Sequence, residues 1–149
     1  MGASATTTGA TDVTGIVKRT TLVAATSYTF GNQYTTINFQ NVGTLPTDMS
    51  VKITIGSAPA WKTSAILRTY DFIQTGASGS FATVNLHYLD AELNGNTENT
   101  TVLWDGHLPS PPGDVDEHGR SNYDTTDNWV GLSSMSVTYF ARAAFGSRA

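Results

Sequence analysis

The stretch Ala82-Thr83-Val84-Asn85-Leu86-His87-Tyr88 alternates apolar and polar side chains at every step. In an extended chain successive side chains point to opposite faces, so this run has one dry face and one wet face. A helix would scatter the same residues around its circumference. The two-residue period returns in Val51-Lys52-Ile53-Thr54-Ile55 and in Met135-Ser136-Val137-Thr138-Tyr139. Further strands are predicted over residues 13–20, 27–30, 35–41, 65–74 and 99–104. Glycine and proline turns separate these runs, at Gly31-Asn32 and at residues 43–46, 56–59 and 76–79. Eight or nine short strands so spaced predict an all-β fold, an antiparallel β-sandwich of jelly-roll or Ig-like type. Residues 75–80 read as a flexible hairpin joining the two longest strands, and residues 58–65 have room for one helical turn.

Residues 13–149 are predicted to form a single β-sandwich domain and residues 1–12 a threonine-rich N-terminal arm. The length of 149 residues suits one domain with a real core. Charged residues are only 13% of the chain, about half the globular average, and threonine is abundant in their place. Threonine suits a pleated strand, and its hydroxyl keeps an outer face wet. Cysteine is absent, so the chain has neither a disulfide framework nor a thiolate metal site. No apolar run reaches the length of a membrane span. The first residues lack the basic and apolar regions of a signal peptide, so the signal of an exported chain would lie upstream. The Met1-Gly2-x-x-x-Thr6 pattern fits the myristoylation rule only loosely.

Charge is strongly polarised. Nine of the twelve acidic residues fall in residues 90–128, against one base, Arg120, for a local charge of about −8. The remainder of the chain is basic by about +4. Such asymmetry bears on ions and association, and it disfavours nucleic acid as a partner. One long acidic loop is predicted over residues 105–127, stiffened by Pro109, Pro111 and Pro112.

Within this region Asp90, Glu92, Asn94, Asn96 and Glu98 place oxygen-bearing side chains at alternate positions. The first six residues match the opening of an EF-hand loop, with Gly95 at the sharp turn. The twelfth position is Thr101 rather than glutamate, so the segment reads either as an irregular calcium site or as a polar turn with Asn94-Gly95 at its tip. Asp114, Asp116, Glu117, His118, Asp124 and Asp127 read first as residues that keep a long loop soluble, with calcium as the alternative. His87, His107 and His118 show no zinc spacing. No catalytic residues are assigned: Gly76-Ala77-Ser78-Gly79-Ser80 is not a nucleophile elbow, and no carboxylate pair stands out. Trp61, Tyr123 and Trp129 are the candidate ligand-binding platforms, with Trp61 the most exposed by its context. Trp104, inside a strand pattern, reads as core.

The run Leu86-His-Tyr-Leu-Asp-Ala-Glu-Leu-Asn-Gly-Asn-Thr-Glu98, followed by Val102-Leu-Trp104, resembles a β-rich module of large secreted or cell-surface proteins of Bacteroidota and related bacteria. Val17-Lys-Arg-Thr20, Tyr28-Thr-Phe-Gly31, Arg68-Thr-Tyr-Asp71 and Asp127-Asn-Trp-Val130 are similar to it as well. The resemblance implies export to the cell surface, a β-sandwich and a structural or adhesive role without catalysis. The polar arm, Gly2-Ala-Ser-Ala-Thr-Thr-Thr-Gly9, is expected either to dock on its own sheet or to add as a strand to a neighbour's open edge, so self-association or neighbouring surface domains are the expected partners. The other expectation is a carbohydrate-binding module, with glycans as partners and calcium stabilising the loop.

Overall fold

The computed structural model of the chain describes Gly9, residues 11–106 and residues 115–149. Two antiparallel sheets of six and five strands form a β-sandwich. The strands are β1 (Gly15–Thr20), β2 (Ser27–Thr29), β3 (Thr36–Phe39), β4 (Asp48–Ile55), β5 (Arg68–Thr75) and β6 (Phe81–His87). They continue as β7 (Thr101–Gly106), β8 (Val115–Gly119), β9 (Asn122–Asp124), β10 (Trp129–Ser136) and β11 (Arg142–Ser147). One sheet has the order β1-β4-β5-β11-β7-β8 and the other β2-β3-β6-β10-β9. Among the described residues no helix is long and apolar enough to cross a membrane.

The alternation in the sequence is the alternation of the sandwich. On β6, Ala82, Val84 and Leu86 are fully buried, while Thr83 and Asn85 lie on the outer face. Val51 and Ile53 of β4 and Tyr70 and Phe72 of β5 enter the same core from the other sheet. Aromatic edges pack within this core: Tyr70 of β5 meets Phe145 of the neighbouring β11 at 6.1 Å, and Phe72 meets Phe140, in the connection from β10 to β11, at 5.5 Å.

Three predicted features come out differently. The eleven strands exceed the eight or nine expected, because β8, β9 and β11 lack clear alternation. β8 and β9 occupy part of the predicted long loop; Pro109, Pro111, Pro112, His107 and Asp114 lie outside the described residues. β11, Arg-Ala-Ala-Phe-Gly-Ser, is built from small residues rather than β-branched ones. Residues 76–80 do not close a hairpin, since β5 and β6 belong to different sheets. They form a corner that hands the chain from one layer to the other.

The alternation Met135–Val137–Tyr139 also stops early. Met135 and Val137 are buried, but the strand ends at Ser136 and Tyr139 is largely exposed. Residues 58–65 form turns with Lys62 N–H donating to Pro59 O at 3.0 Å.

Candidate functional site

At one end of the sandwich the chain buries an arginine. Arg68 opens β5 with no exposed surface, and its guanidinium sits between two carboxylates. Nε and Nη2 donate to Glu92 at 2.7 and 2.9 Å. Nη1 and Nη2 donate to Asp12 at 2.9 and 2.6 Å, and Nη1 also donates to the Tyr70 hydroxyl at 3.3 Å. All five N–H donors of the fork are therefore used. The Tyr70 hydroxyl in turn donates to the His87 carbonyl, so this network crosses between the sheets.

Electrostatics follow from the geometry. Burial alone would lower the Arg68 pKa, but Tyr70 and the hydrogen bonds to Asp12 and Glu92 outweigh it and raise the pKa. Burial pushes the Asp12 carboxyl upward; the Arg68 hydrogen bond and charge more than compensate, holding it below the ordinary carboxylate value. Asp12 also accepts from Asn32 Nδ2 at 2.6 Å, whose own Oδ1 takes the amides of Tyr34 and Thr35. The root of the N-terminal arm is thus tied to the core. Gly9 and Gln33 extend the tie through a backbone bond of 3.0 Å.

The five candidate metal ligands each hold a piece of protein. Glu92 is buried against Arg68 and also accepts the Leu89 amide at 3.0 Å. Asn94 donates to Ala65 O at 2.8 Å, and its φ of +50° with Gly95 at +80° makes the expected turn tip. Asn96 Nδ2 donates to Ser64 O and Leu93 O, while its Oδ1 accepts from the amide and hydroxyl of Ser147 on β11. Glu98 accepts the Tyr88 hydroxyl at 3.0 Å, and Asp90 accepts Asn128 Nδ2 at 2.6 Å. Burial and then the Glu98 hydrogen bond raise the Tyr88 pKa. Among the described residues no group of three or more His, Cys, Asp or Glu is placed to share an ion.

This acidic segment is accordingly a hub. It fastens the arm root through Arg68, the β4–β5 connection through Asn94 and Asn96, and the C-terminal strand through Ser147. The two-residue spacing of oxygens flagged the segment; it did not reveal Arg68 or Asp12, which lie more than twenty residues upstream.

The candidate aromatic platforms are dispersed. Trp61 is half-buried and packs over the outer face of the six-stranded sheet, where a Cβ at Gly106 would meet its ring at 2.6 Å. Lys62 caps the Trp104 ring from 3.5 Å, so Trp104 is buried on the outer side of the sheet rather than in the central core. Tyr123 is exposed on the edge strand β9 and carries the Arg120 guanidinium 3.6 Å above its ring. That guanidinium also donates to the carbonyls of Asn99, Thr101 and Glu98. Trp129 starts β10 beside His87 on the outer side of the five-stranded sheet.

Comparison with family models, curated proteins and solved structures finds no match to this chain.

Two histidines give the fold opposed responses to pH. Burial and then the Arg68 charge lower the His87 pKa, although its Nδ1 faces the carbonyls of Asp127 and Asn128. The stability it contributes is complete above about pH 6.5 and is lost as the pH falls toward its folded value. His118 is raised by the carboxylate of buried Asp105 beside it, with the Asp116 charge adding to this against a loss from burial. Its Nε2 lies 3.6 Å from Asp105 Oδ2, and its ring meets Phe140 edge-on. That contribution is present below about pH 6.5 and is lost as the pH rises through the folded value. Urea unfolding between about pH 5 and 8 checks both. His87→Asn is expected to remove part of the decline on the acid side, and His118→Gln part of the decline on the alkaline side.

Proposed function

We propose that the chain is a non-enzymatic extracellular structural or adhesion module that self-assembles through its N-terminal arm. The carrying observation is the buried Asp12–Arg68–Glu92 clamp, which roots the arm in the core. A segment meant only as a loose tail has no use for a buried ion pair at its base. Among the described residues β1 ends the six-stranded sheet, pairing with β4 on one side only, and Ile16 on it is 60% exposed. An edge of that kind takes an added strand. The polarised charge favours head-to-tail contact, and the resemblance to surface modules supports export to the cell surface.

Removing residues 1–8 tests the assembly while sparing Asp12. The full chain is expected to form oligomers or fibres in light scattering and negative-stain images, and the shortened chain to remain monomeric with an unchanged melting temperature. A full chain that stays monomeric at high concentration, or a shortened chain that assembles equally well, would sink the reading.

A second reading is glycan binding. It is supported by the half-buried Trp129 on an outer sheet face free of charged neighbours along its centre. Calcium at the 90–98 segment belongs to this reading, and a bound ion would raise the melting temperature of chelator-stripped protein by mass action. An unchanged melting temperature on adding calcium would remove the ion from it.

A further inference from the structure

The two outer faces of the sandwich differ in chemistry. On the six-stranded sheet, register sets Ile16, Lys52, Asp71 and Arg142 in one row. Lys18 pairs with Asp48 at 3.2 Å, and Arg142 lies 3.6 Å from Asp71. The turns at residues 57–64 cover part of this face with Trp61 and Lys62.

The strands of the five-stranded sheet place no ionisable side chain of their own along its central rows; at the β2 edge the buried Arg19 of β1 donates to the Thr29 hydroxyl at 2.8 Å. Thr29, Thr36, Asn85, Gly131 and Asn122 face outward in register, followed by Ser27, Asn38 and Thr83. Aromatic rings close the strip at both ends. Phe81 is 37% exposed at one end of β6, and Trp129 with Tyr34 flanks His87 at the other. Six residues of extended chain separate these ends, roughly 20 Å. The nearest carboxylates stand at the Trp129 end. Asp124 accepts the amides of Thr126 and Asp127, and Asp127 accepts the Tyr34 hydroxyl.

Gly131 clears the floor of the strip. A Cβ there would stand 2.5 Å from Asn85 Oδ1 and 3.3 Å from Trp129 Cζ3, so glycine lets an amide and an indole lie side by side. An apolar ring face beside a polar amide matches a pyranose, which has an apolar C–H face and a rim of hydroxyls. Arg19 is fully buried, so a charged ligand would find no exposed counter-ion on the central rows, and a protein partner would find no apolar patch there to desolvate. The neutral rows thus match a neutral, extended ligand.

We propose that the outer face of the five-stranded sheet binds a neutral linear polysaccharide. Trp129 and Phe81 stack on sugar rings at the two ends, and Asn38, Thr83 and Asn85 hydrogen-bond hydroxyls between them. This rests on the glycan reading above and gives it a face and a ligand class.

Affinity electrophoresis of the full chain, in gels containing β-glucan, xylan, mannan or starch, tests it, with alginate and heparin as charged controls. At least one neutral polymer is expected to retard the wild type, and the charged ones are not. Asn38→Arg and Thr36→Arg are each expected to weaken that binding at least about tenfold, with unchanged circular dichroism and melting temperature. Trp61→Ala is expected to bind as wild type does. Retention of affinity in both arginine variants overturns the face; if Trp61→Ala alone then loses binding, the glycan reading stands on the opposite sheet. Absence of retardation by every neutral polymer overturns both. Light scattering that shows this face pairing two copies, disrupted by the same arginines, also overturns it.

Discussion

Replacing Arg68 with methionine is expected to destabilise the fold by about 3–5 kcal/mol, the range for removing one partner from a buried ion pair. Methionine fills similar volume, so the loss is not chiefly a cavity. It arises because Asp12 and Glu92 remain, with side chains 8% and 6% exposed, facing each other without the cation that neutralised them. The Tyr70 hydroxyl and the arm root lose their organiser in the same step. Asp12→Asn is expected to be milder, about 1.5–3 kcal/mol for a hydrogen bond to a charged group, since Glu92 still neutralises Arg68. Urea denaturation of the three proteins at neutral pH checks the order. Equal losses in both variants would mean that the clamp does not act as a charge-balanced unit.

The same clamp predicts acid sensitivity. Asp12 has a depressed folded pKa, so its contribution is present above the ordinary carboxylate value and is lost as the pH falls through the folded one. In Asp12→Asn that portion of the acid decline should vanish, leaving the His87 portion at higher pH.

How far the sequence revealed this arrangement depended on the range of the interactions. Alternation along 82–88 exposed the strand and its two faces because side-chain direction on a strand is set locally. The oxygen-rich spacing over 90–98 marked a special segment, but spacing cannot say whether oxygens converge on an ion or diverge onto backbone. Here Asn94 and Asn96 reach Ala65 and Ser64, and Glu92 reaches Arg68, all through pairings distant in sequence. β11 escaped notice because two alanines and a glycine carry little periodic signal; at Gly146 the glycine leaves room for Lys62 and Trp104, which a Cβ would meet at 2.8 and 3.5 Å. The context of Trp61 in the sequence did not show its packing for the same reason, since Gly106, which makes room for the ring, lies on a distant strand.

The second large effect is expected from Gly43→Ala, at about 3 kcal/mol or more. Gly43 lies in the crossing from β3 to β4, which carries the chain from the five-stranded to the six-stranded sheet. Residues 76–80 carry it back, and the two crossings touch through the bridge between Thr44 and Ser78. A Cβ at position 43 would stand 2.4 Å from the backbone of Gly79 and from the Ser78 carbonyl. No rotamer relieves a clash with main chain, so the crossings must separate. Overpacking of this type costs about 1–3 kcal/mol. The φ of +67° adds roughly 1–2 kcal/mol for a residue with a Cβ. Gly76→Ala is the control: its φ is +79°, but only Thr47 side-chain atoms approach, at 3.8 Å and beyond. It should show the conformational part alone, so the difference between the two variants in urea denaturation isolates the contact. If the two alanines destabilise equally, backbone conformation alone accounts for both, and the junction of the crossings contributes nothing to holding the sheets together.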